Sequence, residues 1–289
     1  MKKVIVNLLL VLLLLCCGCS TTQNVKESSF KIYFFSVGHG DAALVMCDGH
    51  NMMIDCGSTN YSEGIQSMYM ELDKLGIDKF DYIFVTHPDK DHYSLFEKVL
   101  ETRNVKKVYC STKSNVVNKS DFNNFENSFS NIFKKIKVPK VGDRFYLGEA
   151  SIDVLSVNAR KYNVNSNDSS IVLMITYRNK KFLFTGDAGR RTEEEILKNK
   201  YNVKCDVLKI AHHGSGTSSG NSFLNAAHPE YAVFSVSSDD IIDGRILDTL
   251  EESNPKTKIF RTDENGMIIC TCDGNRIVFT DHFGKILSE

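Results

Sequence analysis

Within six residues this 289-residue chain places four side chains able to hold a metal: His87-Pro88-Asp89-Lys90-Asp91-His92. Imidazole and carboxylate together suit Zn2+, Mn2+ or iron. The cluster directly follows Asp81 to Thr86 (DYIFVT), a run of the buried-strand type, which puts it on the loop at the C-terminal end of that strand. A loop can wrap several ligands around one point, whereas a straight strand would alternate them between two faces. Taken alone, the same residues also suit a polar loop with an N-cap aspartate. Two further segments decide between these readings. Phe182 to Ala188 (FLFTGDA) is a buried-type strand ending in Asp187, and Leu208 to Ser215 (LKIAHHGS) is one ending in His212 and His213. Three separate strands therefore deliver imidazole or carboxylate at their C-terminal ends. A carboxylate that bridges two cations needs such a fixed platform. The chemistry of such a site is hydrolysis, because a bound divalent cation lowers the pKa of water from about 15.7 toward about 7.

The elements that must position these residues can be read from periodicity. Phe30 to Val37 is β-rich, and Ala42–Cys47 and Asn51–Asp55 form strand, turn and strand. Tyr61 to Leu75 carries Ile65, Met68, Leu72 and Leu75 at helical spacing, and Leu95–Leu100 continues as a helix before a strand at Val105–Cys110. Phe122, Phe125, Phe129, Ile132, Phe133 and Ile136 share one helical face, with Ser120 as N-cap, and such a stripe is expected to pack on its own core. Strands are expected at Ile152–Val157, Ile171–Tyr177, Lys181–Thr185, Val207–Ile210, Tyr231–Val236 and Lys258–Arg261. Helices follow Arg191 and fill Ser222–Ala226 and Ile246–Glu252. A hairpin, Met267–Cys272 with Arg276–Thr280, closes the chain. Two β-rich halves, each with helices, suit a sandwich covered on both faces. No linker interrupts residues 30–289, which read as one domain.

Composition narrows the function further. Hydrophobic residues make up 42% of the chain, enough for a core, so disorder is excluded as the main state. With Lys+Arg 35 against Asp+Glu 36, bulk charge offers no footprint for nonspecific nucleic-acid binding. Residues 1–18 read as an export signal: Lys2 and Lys3 precede the apolar run Val4 to Leu15, which is shorter than the roughly 20 residues needed to span a bilayer. The run ends in Cys16-Cys17-Gly18-Cys19, which resembles a bacterial lipobox and implies lipidation at Cys19. Residues 19–29 then form the lipidated cysteine and a polar tether. Removal of Lys2 and Lys3 leaves a net charge of −3. Cys47, Cys56, Cys110, Cys205, Cys270 and Cys272 show no CxxC zinc spacing and read as buried free thiols.

The motif set resembles the metallo-β-lactamase superfamily. Its HxHxDH motif stands here as His87 to His92, with Asp89 in the place of the second histidine. That variant, with FLFTGDA and LKIAHHGS, resembles the hydrolase domain of ComEC-type competence proteins. Phe35 to Ala42 (FSVGHGDA), with His39 where glutamine is usual, Ile54 to Gly57 (IDCG) and Arg261 to Gly266 (RTDENG) agree with that branch. Two departures stand out. Asn165 to Ser170 (NSNDSS) lacks the histidine that the superfamily's third motif supplies, and Ser237-Ser238-Asp239-Asp240 lacks a His-Pro. The resemblance implies a four-layer αββα sandwich and one or two divalent ions, Zn2+ or Mn2+. It implies one ion on His87, Asp89 and Asp187, with Asp168 or water as a weak ligand. A second would use Asp91, His92, the bridging Asp187 and one histidine of the pair, His212 preferred. His213 would take an outer or substrate-facing catalytic position, and Asp91 would also orient the water and accept its proton. Asp41 and Asp55 would structure turns, and Lys209 reads as a structural or snorkelling lysine. Gly214, Ser215, Thr217 and Ser218 would offer donors to a substrate anion.

The function these expectations describe is a membrane-anchored extracytoplasmic phosphodiesterase or nuclease, with DNA among its candidate substrates and no obligate protein partner evident. Two rivals remain at this stage. One is a hydrolase of the same fold acting on a lactone, thioester or lactam. The other is a lipoprotein that keeps the fold only for binding.

Overall fold

The computed structural model describes residues 30–59, 63–111, 124–127, 129, 135–157 and 166–288. The export signal, Cys19, the tether, Ser120, Phe122, Ile132 and Phe133 lie outside the described residues. Alternation along the strand Phe30–Phe34 sets the architecture. Phe30, Ile32 and Phe34 enter one apolar cluster, while Tyr33 and the following Phe35 enter another. Successive side chains of a strand face opposite ways, so this strand lies in a sheet covered on both sides.

Among the described residues that sheet has eight strands. In spatial order they are Ile286–Ser288, Ile277–Asp281, Ile268–Cys272, Phe30–Phe34, Ala42–Cys47, His50–Cys56, Tyr82–Val85 and Val108–Cys110. A second sheet of seven runs Lys258–Arg261, Tyr231–Phe234, Val207–Lys209, Lys180–Phe184, Val172–Tyr177, Ala150–Ser156 and Arg144–Leu147. Three apolar layers hold them. The central layer joins the inner faces, with Phe30 stacked on Tyr177 and Phe34 on Phe184. An outer layer packs the first sheet on the helices Glu63–Lys74, through Met68 and Leu72, and Phe96–Thr102, through Phe96 and Val99. The other outer layer packs the second sheet on Arg190–Lys198, Asn221–Ala227 and Gly244–Ser253 through Ile196, Phe223, Leu224, Ile246 and Leu250. Helix, sheet, sheet, helix is the four-layer αββα sandwich. Phe125, Phe129 and Ile136 are buried in the first outer layer, where the phenylalanines meet Tyr93 and Phe96, so the described part of the aromatic stripe packs on the core. All six described cysteines are free and buried.

The parallel strands explain where chemistry can gather. Lys180–Phe184 pairs in parallel with Val207–Lys209, so the residues after both emerge side by side. Tyr82–Val85 lies in the other sheet, parallel to His50–Cys56, and its end meets the second sheet where Ile171 N–H donates to Thr86 O at 2.9 Å. Lys209 points between the sheets, and its Nζ bonds Asp41 at 2.9 Å from below the site. A buried lysine in an apolar strand is thus half of an ion pair that joins the two layers.

Close backbone packing locks the loops under this edge. A Cβ on Gly57 would stand 2.3 Å from the backbone of Asp91 and His92. Gly57→Ala is therefore expected to destabilise the fold by about 1–3 kcal/mol or more. Gly244→Ala, at a helix start with open space around it, should change stability by no more than about 1 kcal/mol, in the stabilising direction. Urea denaturation of both variants checks this, and equal losses would contradict the packing argument.

Candidate metal centre

The site builds outward from Asp55. This residue sits in the left-handed region at φ 56°. Its carboxylate accepts from Thr86 N–H at 2.7 Å, Thr86 Oγ1 at 2.8 Å and His92 Nδ1 at 2.9 Å. With Nδ1 occupied, His92 turns Nε2 inward, as an outer carboxylate does for a ligating histidine. His92 rides on the four-residue helix Lys90–Tyr93, where Asp89 occupies the N-cap position but makes no side-chain cap bond. An aspartate thus does stand at the N-cap of this loop, but its side chain does not cap the helix. Its carboxylate instead accepts from Ser166 Oγ at 2.7 Å and stands 3.5 Å from His87 Nε2.

Asp187 is the meeting point. Gly186 ahead of it is left-handed and so close to Thr86 that a Cβ would lie 2.8 Å from that side chain. Asp187 N–H donates to Ser170 Oγ at 3.1 Å. Its Oδ1 lies 3.3 Å from His92 Nε2, and its Oδ2 lies 3.9 Å from His87 Nε2, 3.8 Å from His212 Nε2 and 4.0 Å from His213 Nε2. Burial by itself would raise the pKa of Asp187. The imidazoles of His92, His213 and His87 overcome that and hold it well below the usual carboxylate range.

His212 and His213 both adopt φ 52°, so the alternation of an extended strand does not apply to them. The structure puts His213 in the inner position for which the sequence favoured His212. The His213 side chain is 3% exposed, its Nδ1 donates to Ser235 O at 2.7 Å, and its Nε2 lies 3.3 Å from Asp91 Oδ2. His212 is 28% exposed and bonds Thr217 Oγ1 at 3.0 Å. With Ser215 it faces a cleft of about 570 Å³ that also contains His39, Gly216 and Asp240. Gly214 is buried beneath this cleft, against Phe234 and Ile242. Asp168, expected as a weak ligand, places its carboxylate against Gly189. The residues of its segment that do reach the centre are Ser166, Asn167 beside His212, and Ser170. The sequence reading gave no role to His39, whose Nδ1 lies 2.6 Å from Asp240 Oδ1 and whose ring sits 4.6 Å from that of His213. The only signal for this pair was that both positions depart from the competence-type pattern.

The residues present fit a divalent cation. Buried polar atoms nearly always find partners, yet His87 Nε2, His92 Nε2 and Asp187 Oδ1 have none. Donors of Asp41, His92, Asp187 and His213 lie within 4.8 Å of one another, as do those of His39, Asp91 and His213. Of the first group, Asp41 is already committed to Lys209. Ligands about 2.1 Å from one cation stand about 3.0–3.4 Å apart in octahedral or tetrahedral order. The separations of 3.3–4.0 Å around Asp187 match a slightly open shell of that kind.

The metallo-beta-lactamase superfamily model matches residues 36–238. ComE operon protein 3 of Bacillus subtilis (strain 168) is 26% identical over 260 residues, which cover 84% of this chain and 33% of that protein. Competence protein ComA of Neisseria gonorrhoeae is 27% identical over 215 residues, covering 74% and 28%. The chain thus spans about a third of the length of these relatives. Among solved structures, CmlA, a diiron beta-hydroxylase from Streptomyces venezuelae, superposes with a TM-score of 0.55 at 13% identity, covering 85% of this chain and 54% of that one. The metallo-beta-lactamase fold protein YhfI from Bacillus subtilis gives 0.54 at 11% identity, covering 84% and 100%. Both likenesses are likenesses of fold.

Protons and cations compete for these donors. Burial disfavours the His213 cation, but Asp187, Asp91 and Asp41 push its pKa up to about 9. Asp187, Asp55 and Asp91 likewise hold His92 well above the ordinary value against its burial. A cation needs neutral imidazole, so rising pH should strengthen ion uptake up to and through about pH 9, where His213 loses its proton, with protons released on binding. Calorimetric titration with Mn2+ in buffers of different ionisation enthalpy measures both. Affinity that stays flat between about pH 6 and 9 would contradict the assignment of these imidazoles.

Proposed function

Because the chain belongs to the metallo-beta-lactamase superfamily, whose members include metal-dependent hydrolases, we propose that it hydrolyses phosphodiester bonds, with DNA as the leading substrate. The observation that carries this reading is the placement of Asp187. Its Oδ1 faces His92 and its Oδ2 lies about equally far from His87 and His213, so one carboxylate stands between the donors of two cation positions. His87, Asp89 and Asp187 would hold the first ion. Asp91, His92, His213 and Asp187 would hold the second. When bound, such a pair supplies hydroxide at neutral pH and charge for both the attacking and leaving oxygens of a phosphoryl displacement. The similarity to two competence proteins supports the nucleic-acid substrate.

The chain's own residues account for the remaining tasks. Burial would raise Asp91, but His92 and His213 hold its carboxyl below the usual range, so it is ionised at neutral pH and accepts hydrogen bonds from a water it orients. His212 is kept from charging chiefly by its burial and faces the cleft as a neutral ring beside Ser215. The cleft of about 570 Å³ falls within the range of about 300–1,000 Å³ usual for ligand sites. Carboxylate-rich ligation suits Mn2+ as well as Zn2+. Export and lipidation at Cys19 would place this activity on the outer face of the cell membrane. Among the described residues no helix is long and apolar enough to cross a membrane.

Incubation of the metal-loaded protein with bis-p-nitrophenyl phosphate, single-stranded DNA and nitrocefin tests the reading. Chelator-sensitive cleavage of the first two and not the third is expected. Turnover of nitrocefin alone would favour a lactam hydrolase, and turnover of none would favour a binding protein. Asp91→Asn should lower kcat on the phosphodiester by about 10²–10⁴-fold, with a smaller loss of bound metal. Equal losses of metal and rate would reduce Asp91 to a ligand.

A further inference from the structure

Three histidines at this edge are held in one manner. His92 gives Nδ1 to Asp55, His213 gives Nδ1 to Ser235 O, and each turns Nε2 to the centre. His39 repeats the pattern. Its Nδ1 stands 2.6 Å from Asp240 Oδ1, which leaves Nε2 as the ring atom facing the centre. Asp240 is itself fixed, accepting from Ser237 N–H at 2.7 Å and donating its own N–H to Ser237 O at 3.1 Å. The backbone of His39 is pinned where Thr59 N–H donates to its carbonyl at 3.0 Å. Its Nε2 then lies 3.6 Å from Asp91 Oδ2, the same oxygen that His213 Nε2 approaches at 3.3 Å. Donor atoms of His39, Asp91 and His213 all fall within 4.8 Å of one another.

We infer that His39 is a further ligand of the second cation, with Asp240 as the carboxylate that orients it. The inference rests on the metal reading above but not on the identity of the substrate. An outer carboxylate behind a ligating imidazole fixes its ring and raises its basicity. His39 stands with Asp91 and His213 in one group of converging donors, and His213 also belongs to the neighbouring group with His92 and Asp187. The sequence pair His39 and Asp240, 201 residues apart, is then one device rather than two unrelated departures.

Titration of the full chain with Mn2+, with free ion read from its electron paramagnetic resonance signal, tests this without any turnover. His39→Ala should weaken one class of Mn2+ site by about 10–100-fold and leave the other within about twofold. Asp240→Asn should weaken the same class by less, and the double variant should bind no worse than His39→Ala. His39→Gln, which retains a polar side chain of similar reach, provides the test if the alanine variant does not fold. Unchanged stoichiometry and affinity in the His39 variants would overturn the proposal, as would a wild-type chain that takes up no ion. A change confined to KM on a phosphodiester would reassign His39 to substrate contact and overturn it equally. A wild-type chain that binds Mn2+ normally yet leaves bis-p-nitrophenyl phosphate intact would sink the substrate reading alone.

Discussion

One buried carboxylate sets the terms for this edge of the molecule. Asp187 is removed from water, and both of its oxygens face imidazoles rather than hydrogen-bond donors of the backbone. An ionised carboxylate in such a place is costly unless opposite charge stands close. Protonated His92 and His213 meet that requirement, and a divalent cation meets it better, because it can reach several acids at once. The surrounding architecture serves to keep those groups converged. Asp55 fixes His92, Ser235 O fixes His213, Ser166 fixes Asp89, and Ser170 holds the Asp187 backbone.

The fold delivers these groups by topology. Parallel pairing of Lys180–Phe184 with Val207–Lys209 brings the Asp187 and His213 loops together without a long excursion of chain. The His87 loop comes from the opposite sheet, so the two sheets must keep their relative position. Part of that registration is electrostatic. Lys209 and Asp41, one from each layer, form a buried pair under the site, and removal of one partner from such a pair typically costs about 3–5 kcal/mol. The left-handed His212 and His213 add local strain, which persists at functional sites where the surroundings fix it.

Most of the architecture was legible because it rests on periodicities. β-rich apolar runs marked the strands, helical spacing marked Ile65, Met68 and Leu72, and the strand-end positions of His87, Asp187 and the histidine pair marked the site. What was not legible depends on local backbone geometry. No spacing rule shows that His212 and His213 both turn left-handed, which exchanges their inner and outer places. The resemblance offered Asp168 or water as a weak ligand, but the hydroxyls of Ser166 and Ser170 and the amide of Asn167 are what this segment presents to the centre. The contact between His39 and Asp240 joins residues from opposite ends of the chain, and nothing local in either motif encodes it.

The sign of the charge ties these features to function. Asp89, Asp91 and Asp187 gather in one small volume, and Asp240 stands at the cleft beside them. Across the whole chain the formal charge is −1, so no broad positive field draws in a polyanion. A phosphodiester entering this cleft without cations would meet carboxylates at short range, where repulsion is least screened. On the proposed function, bound divalent ions would reverse that local sign, so that substrate recognition would depend on cation loading. The acidic ligand set therefore restricts anionic substrates to the ion-loaded protein. An uncharged substrate would feel no comparable change on loading, so the dependence of substrate binding on bound cation separates the proposed phosphodiester from an uncharged lactone.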